Sequence, residues 1–182
     1  MTTTTLPTEL TADIWAVDPS HSEAGFTVRH AGTSKVRGNI AITEATITIG
    51  VDPWASAVTA TLDAASIDTR DAGRDGHVKG ADFFDVEAFP LWTFVSTSVT
   101  GSGREGVVTG NLTIHGVTRE VRLAAEFNGT AVDLYGNLRA GFAASTEISR
   151  KDFGLTFAHE GGGVLLGDKV KINLQLAATK QV

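Results

Sequence analysis

The sequence predicts an all-β fold of mostly antiparallel strands sharing one core, and a sheet closed on itself as a barrel is one way to form it. Three observations predict this. Apolar residues alternate with polar ones along most of the chain, most clearly at Val121, Leu123, Ala125 and Phe127, and again at Val170, Ile172, Leu174 and Leu176. A period of two is the strand period, so each run has one dry face and one wet face. The connections between runs are short, as antiparallel neighbours allow. Almost nothing reads as a long helix. A closed barrel has an inside, which either side chains or a ligand can fill.

The chain has 182 residues, enough for one domain with a sizeable core. Its formal net charge of -6 argues against nucleic acid as a partner, since that needs a basic patch. It has no cysteine, which removes disulfides and thiolate metal sites. No stretch approaches the ~20 apolar residues of a membrane helix, so no transmembrane segment is expected. Residues 1–12 lack Lys, Arg and a signal-like apolar core. They are expected to be a flexible N-terminal extension, with residues 13–182 as the barrel domain and the cytoplasm as the compartment.

Order begins at residues 14–17, and Asp18-Pro19-Ser20 turns the chain. Ala24, Phe26, Val28 and His30 share one strand face. Val36, Gly38, Ile40 and Ile42 mark a second strand, and Ile47, Ile49 and Val51 a third, before Asp52-Pro53 breaks the pattern. Val58, Ala60, Leu62 and Ala64 form the next inward row. Residues 68–84 lose the period of two and hold much of the charge. They predict a long connection with a short helix, placed over residues 79–84, of the kind that often carries function. At 91–100 both parities are apolar (Trp92 and Phe94; Leu91, Val95 and Val99), which predicts cover on both faces. Val108, Gly110, Leu112 and Ile114 follow, then the strand at 118–127, ended by Asn128-Gly129. Leu138, Ala140, Phe142 and Ala144 form another row. Residues 150–166 are irregular, with Gly161-Gly162-Gly163 as the most flexible point, and 170–177 closes the chain. Gly38, Gly110, Ala60, Ala125 and Ala140 interrupt the large residues of the dry rows. They fit either a tapered, filled barrel or a cavity.

Catalytic signals are weak. No two of the five histidines have metal-site spacing, and no metal or cofactor is expected. Ser22 beside His21 is not a triad, because strand neighbours point to opposite faces. The chain holds no nucleophile elbow, phosphate loop or dinucleotide fingerprint. Asp68, Asp71, Asp75, Asp82 and Asp85 are interleaved with Arg70, Arg74 and Lys79, which fits a salt-bridged surface better than a calcium loop. Arg70, Asp75 and His77, with His21, are candidates for a polar site at a barrel mouth. The alternative is that they only fold the connection.

The motifs in order are residues 17–22 (VDPSHS), 26–30 (FTVRH), 36–38 (VRG), 66–69 (SIDT), 74–79 (RDGHVK), 82–85 (DFFD), 89–94 (FPLWTF), 110–118 (GNLTIHGVT) and 150–155 (RKDFGL). Together they resemble the YceI-like family of polyisoprenoid-binding proteins, over about residues 15–178. The resemblance implies a lipocalin-like antiparallel β-barrel of about eight strands, an isoprenoid-type or other long-chain lipid in an apolar tunnel, and a homodimer. Family members often have Leu where this chain has Val78, and an aromatic where it has Ile40. Many relatives are exported, and this chain shows no signal. Alternation selects Phe26, Val28, Ile40, Leu62, Phe94, Leu112, Leu123, Phe127 and Phe142 as the tunnel lining. The expected function is a lipid carrier or sequestering protein rather than an enzyme. The alternatives are an enzyme acting on a lipid headgroup at the mouth, using His21, His77, Asp75 and Arg70, and a ligand-free, stress-related barrel.

Overall fold

A computed structural model describes residues 5–158 and 166–182. They form nine strands and one α-helix: β1 (Asp13–Val17), β2 (Glu23–His30), β3 (Ser34–Ile49), β4 (Ala57–Asp68), α1 (Ala72–Lys79), β5 (Leu91–Ser102), β6 (Glu105–Ile114), β7 (Val117–Val132), β8 (Leu138–Ser149) and β9 (Leu166–Lys180). Every pairing is antiparallel. The order is β1-β3-β2-β9-β8-β7-β6-β5-β4, and the β3–β4 pairing closes the sheet into a barrel. Both β1 and β2 pair with β3 on one side and β9 on the other. They therefore share one of eight wall positions, as two halves of a single strand interrupted by a 3-10 turn at Pro19–His21.

Several strands are longer than the alternation suggests, because bulges reverse parity without ending a strand. The two strands expected at 36–42 and 47–51 are one, β3. Its register against β4 shifts between Ile42 and Glu44, so Ile42 and Ala45, Ile47 and Ile49 are all buried despite opposite parity. Asn128-Gly129 does not end β7, which runs on to Val132 past a shift between Phe127 and Gly129. On β5 the two apolar parities do not mean two covered faces. Leu91 and Val95 point outward and are about half exposed, and a shift between Ser96 and Ser98 turns Val99 inward.

The helix lies one step earlier than the composition suggests. Asp71 caps it by accepting from Arg74 N at 2.9 Å, which offsets part of the cost of two unfavourable glycines, Gly73 and Gly76. Of the expected span 79–84 only Lys79 is helical; Gly80 is a bend and residues 81–84 are turns. Leu6 and Leu10, within the stretch expected to be a flexible extension, pack against the barrel, and Leu10 is buried. His159 and Gly161-Gly162-Gly163 lie outside the described residues.

Buried side chains gather at the two ends of the barrel. At one end, Leu10, Trp15, Val17, Phe127, Ala140 and Ala178 cluster beneath the N-terminal segment. At the other, Phe83 and Phe84 from the long connection meet Ile114, Phe153 and Leu155. Two glycines of the dry rows serve those walls in a specific way. A Cβ at Gly38 would sit 2.5 Å from Phe26 Cζ, and one at Gly110 would sit 2.5 Å from Phe94 Cζ. Each glycine lets a phenylalanine ring lie flat on the strand, so these two positions are covered rather than empty.

Candidate functional site

Between the two buried ends runs a cavity of about 250 Å³. That is just under the ~300–1,000 Å³ usual for small-molecule sites. Its wall is almost wholly aliphatic and aromatic. Of the nine residues selected from alternation, eight stand on it: Phe26, Ile40, Leu62, Phe94, Leu112, Leu123, Phe127 and Phe142. The ninth, Val28, is buried but off the wall. Its cross-strand partners are Val36 and Val170. They lie one row nearer the α1 end than Phe26 and Ile172, where the cavity wall begins.

The sequence reading missed the upper closure. Leu6, Pro7 and Leu10 stand on the wall beside Gly101, Gly103 and Arg104 of the β5–β6 hairpin. Two leucines four apart in a polar stretch were the available signal, but no strand period accompanies them. At the lower end Trp92 packs edge-on against Phe84, ring centroids 4.7 Å apart. Its indole N–H is buried with no hydrogen-bond partner, the one such side-chain atom among the described residues.

The four candidate mouth residues do not form one site, which corrects the sequence reading. His21 stands on the 3-10 turn between β1 and β2, outside the wall and largely exposed. There Asp18 is the hub. It accepts from Ser20 N at 3.0 Å, Ser20 Oγ at 2.6 Å and Arg139 at 2.8 Å, and pairs with His21 Nδ1 at 2.8 Å. The Arg139 guanidinium, then Ser20 and His21, hold its carboxyl well below the usual carboxylate range. Arg139 also bonds Asp133 at 2.8 Å and depresses that carboxyl in the same way. Ser20 Oγ and Asp18 both face His21 Nδ1, at 3.0 and 2.8 Å. A relay needs the serine and the carboxylate on different ring nitrogens, so this is not one.

Arg70, Asp75 and His77 belong to the connection after β4, at the α1 end. Asp75 accepts from Thr69 N at 2.9 Å, and Arg74 donates to Thr69 Oγ1 and Thr69 O at 2.8 Å each. Arg70 has φ of 66° and is exposed. His77 lies edge-on to Phe83 and Phe157, with centroids 5.3 and 5.1 Å away, and 3.6 Å from Asp82. These contacts fold the connection over the barrel end. The 150–155 motif is structural in the same sense. Arg150 is buried and donates to the carbonyls of Leu155, Phe157, Leu166 and Gly167. Burial pushes its guanidinium below the ordinary arginine value, partly countered by Asp168. No group of three His, Cys, Asp or Glu among the described residues could hold a metal. No helix among them is long and apolar enough to cross a membrane.

Comparison with known proteins gives a consistent picture. A profile of the YceI-like domain matches residues 15–178. Protein YceI of Salmonella arizonae is 41% identical over 137 residues, which is 75% of this chain and 72% of that protein. Among solved structures, Burkholderia cenocepacia BcnA is similar at a TM-score of 0.75 and 25% identity, over 90% of this chain and 99% of that one. A polyisoprenoid-binding domain from Saccharophagus degradans, implicated in plant cell wall breakdown, shares the fold at a TM-score of 0.64 and 15% identity, over 94% of this chain and all of that one.

Proposed function

The chain belongs to the YceI-like family, and from that premise we propose that it binds a long-chain isoprenoid or similar amphiphilic lipid in its tunnel, as a carrier or sequestering protein. The observation that carries this reading is the apolar cavity between the N-terminal segment and the phenylalanines of the long connection. Burial of apolar surface supplies the affinity. At ~0.8 kcal/mol per CH2-sized group, a five-carbon unit gains about 3–4 kcal/mol gross. Several units exceed the ~4–15 kcal/mol cost of association. No charged anchor is needed, so selectivity falls to the tunnel's length and width. The cavity is narrow, and a long chain would have to spread its wall or displace an end closure.

The enzyme alternative needs converging polar groups, and His21 is far along the fold from Arg70, Asp75 and His77. The ligand-free alternative needs a filled interior, which the open space disfavours. We further propose a cytoplasmic protein and, from the family resemblance, a homodimer. Cell fractionation and sedimentation test those two readings.

The test of binding is organic extraction and native mass spectrometry of the purified protein. A lipid in near-stoichiometric amount is expected, and a mass equal to the bare chain with nothing extractable would remove the reading. Leu123→Trp, on the wall of the clearest strand, should block binding while costing the fold only ~1–3 kcal/mol from overpacking.

A further inference from the structure

The N-terminal segment lies outside the residues matched to the family, yet it closes one end of the tunnel. Leu6, Pro7 and Leu10 form that part of the wall, and Leu10 is only 6% exposed. Among the described residues, the polar ties of residues 5–10 to the barrel go to the β5–β6 hairpin. Thr5 N donates to Gly101 O at 3.2 Å, Gly103 N donates to Thr5 Oγ1 at 3.3 Å, and Thr5 Oγ1 donates to Ser102 Oγ at 3.4 Å. Arg104 pairs with Glu9 at 2.8 Å while its guanidinium lies 5.3 Å above the Phe127 ring. The base of the segment is pinned separately, by Trp15, which is fully buried and donates to Thr11 O.

From this we propose that residues 5–10 are a strap that closes the tunnel and governs how fast a lipid enters and leaves. The proposal rests on the lipid-binding reading and deepens it. The strap is held differently from the rest of the wall. It has no strand ladder, its longest-reaching tie is an ion pair whose two side chains are each nearly half exposed, and its anchor is one buried leucine. Segments with few buried contacts and solvent-exposed bonds open locally without global unfolding. The opposite closure is tied into the fold by Phe83 and Phe84, which pack with Phe153 and Leu155. Opening therefore belongs to the strap end. A ligand that enters there has its last segment covered by Leu6 and Leu10, so the strap also sets the greatest chain length that can be fully enclosed.

The absence of native cysteine makes the test clean. In the full chain, Thr5→Cys with Ser102→Cys places two thiols where the hydroxyls are 3.4 Å apart. Oxidation should lock the strap and slow release of a fluorescent geranylgeraniol by at least about tenfold, with reduction restoring the wild-type rate. Glu9→Gln should speed release about threefold, the scale of an exposed ion pair, and lose the salt dependence of the wild type. Release that is unchanged by an oxidised lock overturns the proposal. A second measurement needs no ligand. Ala125→Cys puts one thiol on the tunnel wall, and its rate of maleimide labelling is read with Leu10 intact and with Leu10→Asp. Labelling at least about tenfold faster in the Leu10→Asp background supports the strap, since an unpaired charge will not stay buried beneath it. Should that variant lose its near-ultraviolet circular dichroism, Glu9→Gln replaces it. Equal labelling rates in folded variants overturn the proposal. If the wild type binds no geranylgeraniol, the lipid-binding reading fails by itself, and the labelling rates still decide the strap.

Discussion

Gly110→Ala separates two effects of opposite sign. Gly110 does not have a positive φ, so backbone conformation does not demand glycine there. Alanine should stabilise a strand by about 0.5–1 kcal/mol relative to glycine, because it surrenders less chain entropy on folding. Space opposes this. The new Cβ would meet Phe94 Cζ at 2.5 Å, Val95 O at 2.6 Å and Phe94 Cε2 at 2.8 Å. Ordinary carbon contacts are about 3.5–4.0 Å, so the ring must retreat by about 1 Å into the tunnel. A ring can turn away, but the Val95 carbonyl is part of the β5 backbone and cannot. Overpacking of this kind costs ~1–3 kcal/mol. With the backbone clash placing it near the top of that range, the net loss is about 2 kcal/mol, or a drop in Tm of about 4–8 °C for a chain of this size. Urea unfolding followed by tryptophan fluorescence measures it. Two controls fix the interpretation. At Gly141 the nearest atom to a new Cβ is Asn128 Cβ at 3.5 Å, so Gly141→Ala should stabilise by about 0.5 kcal/mol. In a Phe94→Leu background the Gly110→Ala penalty should shrink by at least ~0.5 kcal/mol, the share owed to the ring. A Gly110→Ala protein as stable as Gly141→Ala would refute the reasoning.

Three further outcomes are expected. Arg150→Met leaves four carbonyls around a buried position without their donor, and should cost ~3 kcal/mol with little change in lipid affinity, checked by denaturation and by probe titration. Asp18 and Asp133 bind protons less tightly folded than unfolded, so their contribution is full above their ordinary pKa of 3.8 and is lost as the pH falls below about 4. Arg139→Gln should lower stability at neutral pH and flatten that acid loss, which a series of melting curves from neutral to acid pH reads directly. His21→Ala and His77→Ala should each leave lipid affinity within about tenfold, or ~1.4 kcal/mol, of wild type, because neither stands on the cavity wall. A lipid turnover abolished by both would instead support the enzyme alternative.

The all-β class and most of the inner wall were legible because alternation reports directly on which side of a sheet is dry. Leu123, Phe127 and Ile40 follow from that rule alone. Where the rule broke, the cause was a bulge. Ile42 and Ile47 have opposite parity, so they read as two strands, yet a register shift of one residue between them keeps both inside one strand. Val99 was obscured in the same way. Asn128-Gly129 has the chemistry of a turn, and at the edge of a bulge the same left-handed glycine serves a different end. The grouping of His21 with His77 failed because sequence says nothing about which end of a closed sheet a loop occupies. Leu6 and Leu10 were missed because they form no regular element. Their burial comes wholly from the tertiary fold.

The wall position divided between β1 and β2 has a consequence for how this barrel is made. Closure requires the first strands to meet the last, with Trp15 opposite Lys180 and Val17 opposite Ala178. The strands from β3 to β9 otherwise pair with near neighbours in the chain, and those hairpins can form as local events. The seam cannot. It joins residues separated by nearly the whole sequence, so its loop-closure entropy is met only after the rest of the sheet is in place. During synthesis the N-terminal half of the seam waits, its apolar row uncovered, until β9 has left the ribosome. Division into two short strands of five and eight residues limits that exposed edge, and the turn at Pro19 between them keeps the waiting segment from offering one long, flat template to another chain.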